Sequence, residues 1–150
     1  MDKVYSFDWY DGVRGGVATY NGQPCYFESQ CVDIFTDGTD WFKLSPISEA
    51  AFEQNKEQWA LWRIYDAAFQ AGQIGIEHHP FLPENRERGE ELQQQLEHQL
   101  IIDDNNFMIA QAEFLGLDKQ MQRMDRAEME VRWNILLAPP SASWRAGYDV

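Results

Sequence analysis

Three Asx-Gly pairs constrain the fold of this chain more than any other feature of its sequence. The pairs are Asp11-Gly12, Asn21-Gly22 and Asp37-Gly38, and each lies between aromatic or β-branched stretches. Glycine adopts the positive φ angles that a tight two-residue hairpin needs, because it has no Cβ. Three such turns near the start of the chain predict a four-stranded antiparallel meander.

Two-residue turns also fix the register of the predicted meander. They place Tyr5 opposite Ala18, Trp9 opposite Arg14 and, across the second turn, Gly16 opposite Phe27. One face then carries large rings around small residues, which is typical of a core face. That face holds Tyr5, Phe7, Trp9, Gly16, Ala18, Cys25 and Phe27. The opposite face, which we expect to meet water, holds Ser6, Asp8, Tyr10, Val13, Gly15, Val17, Thr19, Tyr26 and Glu28.

The third predicted strand, from Gln23 to Thr36, is long for a single strand. The register from the third turn pairs Asp33 with Phe42 and Ile34 with Trp41. Strict alternation would then place Asp33 on the core face. We therefore predict a bulge or bend near residues 29–32, which would curl the sheet towards a barrel.

Two helices are predicted after the meander. Ser45 or Ser48 can cap a first helix that runs from about Pro46 to Ala71 and ends at Gly72. Its aromatic residues recur at helical spacing, so we expect this helix to cover the sheet. They are Phe52, Trp59, Trp62 and Phe69. A second helix is predicted over residues 83–101, with Leu92, Leu96 and Leu100 as its apolar stripe.

The C-terminal part favours two strands. A short strand is predicted over residues 107–115, and strict alternation predicts another over 127–137. The last strand should join the meander or pair with 107–115. A short helical turn is predicted near Lys119 to Met124, although residues 117–126 also fit a loop. The chain is thus interpreted as a single α+β domain over 1–138, with a flexible tail over 139–150.

The charge of the chain limits the classes of partner that it can bind. It has 25 acidic and 12 basic residues, which give a net charge of −13. Such a charge repels nucleic-acid backbones and anionic membrane surfaces, and it attracts basic proteins. Acidic composition is also typical of bacterial cytosolic proteins, where it serves solubility. No apolar stretch approaches the ~20 residues of a membrane span.

The two cysteines indicate a reducing compartment. Cys25 and Cys31 fall in one predicted strand, which would separate them by ~20 Å. A disulfide needs Cα atoms within ~7 Å, so we expect both thiols to be free. The chain also opens on a strand pattern, Val4 to Trp9, without a leader-like apolar run. We therefore predict a cytoplasmic location.

The sequence predicts no metal and no cofactor. His78 and His79 are neighbours beside Glu77, and adjacent loop residues rarely ligate one metal, which needs three or four convergent ligands. HExxH and CxxC spacings are missing, as are the nucleophile-elbow, P-loop and dinucleotide motifs. The glycine-rich stretch at 12–16 lacks a following helix and a phosphate-binding lysine.

Two function classes stay open. Asp8 and Glu28 flank Gly15 in one cross-strand row, ~9–10 Å apart, which suits an inverting hydrolase with tyrosines beneath a sugar-like substrate. The preferred interpretation is a non-enzymatic inhibitory or neutralising module. In it, Tyr10 and Tyr26 anchor a basic protein among Asp8 and Glu28. An ordinary solvated face is the third interpretation, and the sequence indicates no oligomeric state.

Overall fold

The computed structural model describes residues 2–9, 13–30, 41–115, 117–118, 123–124 and 129–138. Its helices are α1 (Glu49–Gln70) and α2 (Arg86–Leu96), with short 3-10 turns at Ile76–His78 and Pro83–Asn85. Its strands are β1 (Asp2–Trp9), β2 (Val13–Tyr20), β3 (Gln23–Ser29), β4 (Phe42–Pro46), β5 (Met108–Leu115), β6 (Leu117–Asp118), β7 (Arg123–Met124) and β8 (Met129–Leu137).

Six of these strands close into an antiparallel barrel. The order is β1-β2-β3-β4-β5-β8, and β8 closes the barrel by pairing with both β5 and β1. The α+β class and the four-stranded meander are therefore confirmed. The two outcomes considered for the last strand, joining the meander and pairing with β5, occur together. Strands β6 and β7 form a separate two-stranded ladder.

The first hairpin departs from the predicted register. Tyr5 pairs with Val17 and Trp9 with Val13, so the predicted pairs Tyr5–Ala18 and Trp9–Arg14 are wrong. Register shifts between Tyr5 and Asp8, and again between Asp8 and Trp9, account for the difference. A slip of one residue moves side chains to the other face of a sheet. Val4 therefore takes the place opposite Ala18.

The predicted aromatic core face is divided between two layers. Inside the barrel, the Phe27 ring centroid lies 5.5 Å from that of Trp133 and 5.7 Å from that of Phe42. Tyr5 instead packs on α1, with its ring centroid 4.9 Å from that of Trp59. The side chains of Phe7 and Trp9 lie outside the described part of the structure.

The face that we expected to meet water is largely covered. Val13 and Val17 are 4% and 0% exposed. Helix α1 contacts β1, β2 and β3, and it buries Phe52, Trp59 and Trp62. The prediction of an open face is therefore wrong, because the aromatic stripe of α1 needs an apolar surface and finds it outside the barrel.

The third hairpin is offset by four residues from its predicted register. Phe42 pairs with Ser29, and the Gln30 amide donates to the Trp41 carbonyl at 2.7 Å. The predicted pairs Asp33–Phe42 and Ile34–Trp41 are therefore wrong. Residues 31–40, which include the predicted turn and half of the predicted bend, lie outside the described residues.

The first helix ends as expected, but it begins at Glu49 and not near Pro46, which belongs to β4; Ser48 is its cap. The Ser48 hydroxyl accepts a hydrogen bond from the Ala51 amide at 3.0 Å, and Gly72 follows the helix with φ +74°. The second helix is shorter than predicted, because Pro83–Asn85 forms a 3-10 turn and α2 ends at Leu96. The stripe residues Leu92 and Leu96 are buried.

The connection before the last strand also differs from its prediction. Leu117 pairs with Met124 and Asp118 with Arg123, so the end of the predicted helical turn at Lys119 to Met124 is a strand instead. Residues 119–122 and the predicted tail at 139–150 lie outside the described ranges.

An ion pair holds α2 against α1. The Arg88 guanidinium contacts both carboxylate oxygens of Glu57, at 2.7 and 2.8 Å, and its third nitrogen lies 2.8 Å from Glu91. Such a bidentate pair fixes orientation as well as distance. Hydrogen bonding from Arg88 lowers the pKa of Glu57 below its ordinary value.

Replacing Arg88 with glutamine is expected to raise the pKa of Glu57 back towards its ordinary value. Because the folded-state pKa is lowered, the stabilisation from this pair is present above the unfolded pKa and is lost as pH falls through the folded pKa. Carbon-detected NMR titration of the Glu57 carboxyl measures the change. An unaltered Glu57 titration in the variant would show that the two side chains do not pair in solution.

Candidate functional site

A cleft of about 320 Å³ opens between the outer surface of the barrel and the two helices. We call it the helix–barrel cleft. Its lining comes from β1, β2, β3, α1, α2 and the two connections that flank α2. The lining residues are Tyr5, Ser6, Gly15, Gly16, Tyr26, Asn55, Gln58, His79, Pro80, Gln93, Leu96, Glu97 and Leu100.

The barrel side of the cleft is built around a close approach of β1 and β2. Gly16 has φ +149°, and a Cβ at this position would lie 2.5 Å from the Tyr5 carbonyl oxygen. The Ser6 hydroxyl donates to the Gly15 carbonyl across the same two strands. Glycine is required at Gly16 because the opposing backbone occupies the space that a side chain would need.

The α1 side presents two buried carboxamides. Asn55 and Gln58 are 5% and 6% exposed, and the Asn55 Nδ2 donates to the Gln58 Oε1 at 3.5 Å. The Asn55 Oδ1 accepts no hydrogen bond from any residue that the structure describes. A buried acceptor without a donor costs about 1–3 kcal/mol. Asn55 is therefore a poor choice for stability alone, and a bound donor would explain its presence.

Two further buried atoms, Gln54 Oε1 and Trp59 Nε1, also have no hydrogen-bond partner among the described residues. Neither residue lines the helix–barrel cleft. Asn55 thus differs from them in position, because it is the one of these three residues that lines the cleft. Gln54 serves below as a matched control for Asn55.

The α2 side contributes apolar surface and one carboxylate. Leu96 and Leu100 line the cleft, and Pro80 adds to them from the connection before α2. Glu97 is the charged residue among the described lining, and its Oε1 lies 3.2 Å from the His98 Nε2. The cleft therefore pairs an apolar wall with an acidic lip.

The predicted site residues are only partly brought to this cleft. Tyr26 lines it, is half-buried, and donates from its hydroxyl to the Glu28 Oε2 at 3.1 Å. Asp8 pairs with Gly15 and Gly15 with Glu28, so the predicted cross-strand row is present in the backbone ladder. The side chain of Asp8 and the whole of Tyr10 lie outside the described residues.

Asn55 and Gln58 were missed by the sequence analysis, although the sequence carries a signal for the first. Phe52, Asn55, Trp59 and Trp62 follow one another at spacings of three and four, so Asn55 interrupts an aromatic stripe. A carboxamide at such a position must be buried with the rings around it.

The histidine loop does not assemble a metal site within the described part of the chain. The Glu77 Oε1 lies 3.7 Å from the His78 Nε2, whereas the His79 ring packs edge-on against Tyr65 with centroids 5.5 Å apart. Among the described residues, no three His, Cys, Asp or Glu side chains converge as metal ligands would. The helices described here include none that is long and apolar enough to cross a membrane.

Cys25 is a buried thiol inside the barrel. It is 0% exposed, and its Sγ donates to the Ala18 carbonyl at 3.3 Å. Burial raises the pKa of this thiol above its ordinary range, and the charge of Asp2 acts in the same direction. The thiolate, which is the reactive form, is therefore disfavoured at neutral pH.

We expect Cys25 to react with a thiol reagent only after unfolding. A Cys31→Ser variant isolates it, because Cys25 and Cys31 are the two cysteines of the sequence. Titration with a disulfide reagent should then detect no fast thiol in the native protein and one thiol per chain in denaturant. Fast modification of the native variant would contradict the buried position of Cys25.

The described lining of the cleft suits binding. It offers amide acceptors, a tyrosine ring, apolar walls and a carboxylate, which together resemble the mixed lining of ligand pockets. Relatives give no independent guide to the ligand. Comparison with protein families, with curated proteins and with solved structures finds no match to this chain.

Proposed function

We propose that this protein is a non-enzymatic binding module that inhibits or neutralises a basic partner protein. The observation that carries the proposal is the position of Tyr26. Tyr26 lines the helix–barrel cleft, and its hydroxyl donates to the half-buried Glu28. A fixed aromatic ring beside a carboxylate is the kind of anchor that dominates protein interfaces.

The surface around the cleft supports a basic partner. Acidic side chains are exposed along α2 and on both sides of it, and the arginines among them are engaged with carboxylates. Arg86 lies 3.6 Å from Glu90, and Arg88 contacts Glu57 and Glu91. The exposed acids are Glu84, Glu87, Glu90, Glu91, Glu97, Asp103 and Asp104. Together with the net charge of −13, they would steer a positively charged protein towards this side.

Capture from a host extract with matched baits tests the proposal. Wild-type protein should retain a basic protein, identified by mass spectrometry, that a Tyr26→Ala bait loses. A Tyr26→Phe bait keeps the ring and should retain most of the binding. The proposal fails if the wild-type bait retains no basic protein, or if the Tyr26→Ala bait retains the same protein equally well.

A hydrolase is the second candidate, and the row of Asp8, Gly15 and Glu28 in the ladder favours it. Two strand spacings separate the outer positions by ~9–10 Å, which leaves room for a water between an acid and a base. A panel of aryl glycosides tests it. Turnover by the wild type that a Glu28→Gln substitution reduces at least a hundredfold would support the enzyme over the binding module.

A further inference from the structure

We propose that the helix–barrel cleft receives a guanidinium group, carried by an arginine side chain of the partner. This inference rests on the proposed function, and it names the chemical group that the partner inserts. Three properties of the cleft lead to it, namely an acceptor that lacks a donor, the sign of its charge, and its size.

The first property is the unpartnered acceptor. Asn55 is a lining residue of the cleft and is 5% exposed, and no described residue donates to its Oδ1. The neighbouring Gln58 Oε1 accepts a single long hydrogen bond of 3.5 Å from Asn55. A ligand that donates hydrogen bonds would satisfy the first oxygen and could share the second.

The second property is the charge around the cleft. Glu97 lines it, and Glu28 holds the hydroxyl of Tyr26. The Lys56 ammonium lies 5.2 Å from the Tyr5 ring centroid and opposes a cationic guest. Lys43 lies opposite Glu28 in the strand ladder, so the preference for a cation comes from Glu97 in the lining and from the net charge of −13. The Tyr26 ring adds a cation–π contribution.

The third property is size. A space of about 320 Å³ lies at the lower end of the range for small-molecule sites. It therefore suits one long side chain better than a cofactor. Pro80, Leu96 and Leu100 provide an apolar wall along which the methylene stem of such a side chain can lie.

Arginine fits these properties better than lysine. Its planar guanidinium presents five donors, so it can reach two carboxamide oxygens and a carboxylate at once. It also stacks on aromatic rings and is less strongly hydrated than an ammonium, which lowers the cost of entering a half-buried cleft. We therefore expect the guanidinium to lie against Asn55 with its stem along Leu96.

Nuclear magnetic resonance titration with a small probe tests this inference. The probe is N-acetyl-arginine N-methylamide, and N-acetyl-citrulline N-methylamide is its neutral control of the same shape. The arginine probe should shift the side-chain amide resonances of Asn55 and Gln58, with a dissociation constant at least tenfold lower than that of the citrulline probe. Equal affinity for both probes, or no shifts at these residues, would overturn the inference.

Variants locate the contact. Asn55→Leu should weaken the arginine probe at least tenfold, whereas Gln54→Leu, its neighbour outside the lining, should leave the affinity unchanged. If Asn55→Leu does not fold, the exposed Glu97→Gln substitution replaces it and should weaken binding about fivefold, as expected for the loss of one partly screened charge contact. Equal affinities in the wild type and the cleft variant would also overturn the inference.

Binding of the captured partner to the two variants tests this inference separately from the proposed function. Loss of partner binding in Tyr26→Ala but not in Asn55→Leu would overturn the guanidinium site and leave the binding function standing. If the wild type binds the arginine probe but Asn55→Leu still binds the partner in full, the cleft would receive a free guanidino compound. That result would overturn the inference as stated. Loss of both probe and partner in Asn55→Leu is the result that we expect.

Discussion

Replacing Gly16 with alanine is expected to lower the free energy of unfolding by about 3 kcal/mol or more. A Cβ there would lie 2.5 Å from the Tyr5 carbonyl oxygen, and the backbone has φ +149°. To relieve this contact, β1 and β2 would have to separate, which would break hydrogen bonds between them where they line both the barrel and the cleft. Urea unfolding followed by circular dichroism measures the loss.

Gly22 provides the matched control for this prediction. It also has a positive φ, +80°, but a Cβ there would meet nothing within 4 Å. Gly22→Ala should therefore show only the conformational cost, about 1–2 kcal/mol. Equal losses in the two variants would mean that the close contact between β1 and β2 does not exist in solution.

Replacing Phe27 with alanine is expected to lower the free energy of unfolding by about 3–5 kcal/mol. Phe27 is 0% exposed, and it contacts Phe42, Phe114 and Trp133 from three neighbouring elements of the barrel. Truncation removes these ring contacts together and leaves a cavity that the closed barrel can fill only in part. Thermal and urea unfolding both measure the effect.

Phe107 is the control for Phe27. It lies just before β5, is half-exposed, and its ring carries the Lys43 ammonium 4.7 Å from the centroid. Phe107→Ala should cost about 1 kcal/mol, because it loses little buried area and one exposed cation–π contact. A Phe27→Ala variant no less stable than Phe107→Ala would contradict the assignment of Phe27 to the barrel interior.

Local turn chemistry made part of the fold predictable. Asn21 and Gly22 have φ +50° and +80°, as a two-residue hairpin requires, and the predicted pairs Gly16–Phe27 and Ala18–Cys25 are present. The Ser48 cap and the Gly72 stop likewise depend on neighbouring residues alone. The predictions of these features were correct because each feature is determined by residues that are close together in the sequence.

The rest of the fold depended on contacts distant in sequence. The register shifts in β1 lie within the strand, but they place the Tyr5 ring against the rings of Phe52 and Trp59 on α1. No alternation pattern within residues 2–20 reveals that requirement. Closure of the barrel likewise requires β8 to pair with β1, and this contact between the two ends of the described chain is not visible in any local pattern.

The candidate site shows the same division. Strand alternation predicted that Tyr26 and Glu28 share a face, since residues two apart do so, and the two side chains are hydrogen-bonded to each other. The helix–barrel cleft was not predicted, because it lies on the sheet face that was expected to meet water and that α1 covers instead. Asn55 could have been recognised as a polar residue within the aromatic stripe of α1, but its unpartnered oxygen is visible only once α1 is placed on the barrel.

The salt dependence of the association rate tests the central claim, binding to a basic partner, most directly. Stopped-flow mixing of this protein with the captured basic partner should show association at least tenfold slower at ~150 mM than at ~10 mM salt, because the Debye length falls from ~30 to ~8 Å. The Tyr26→Ala variant should keep that salt dependence and dissociate faster. An association rate that does not change with salt would contradict the account.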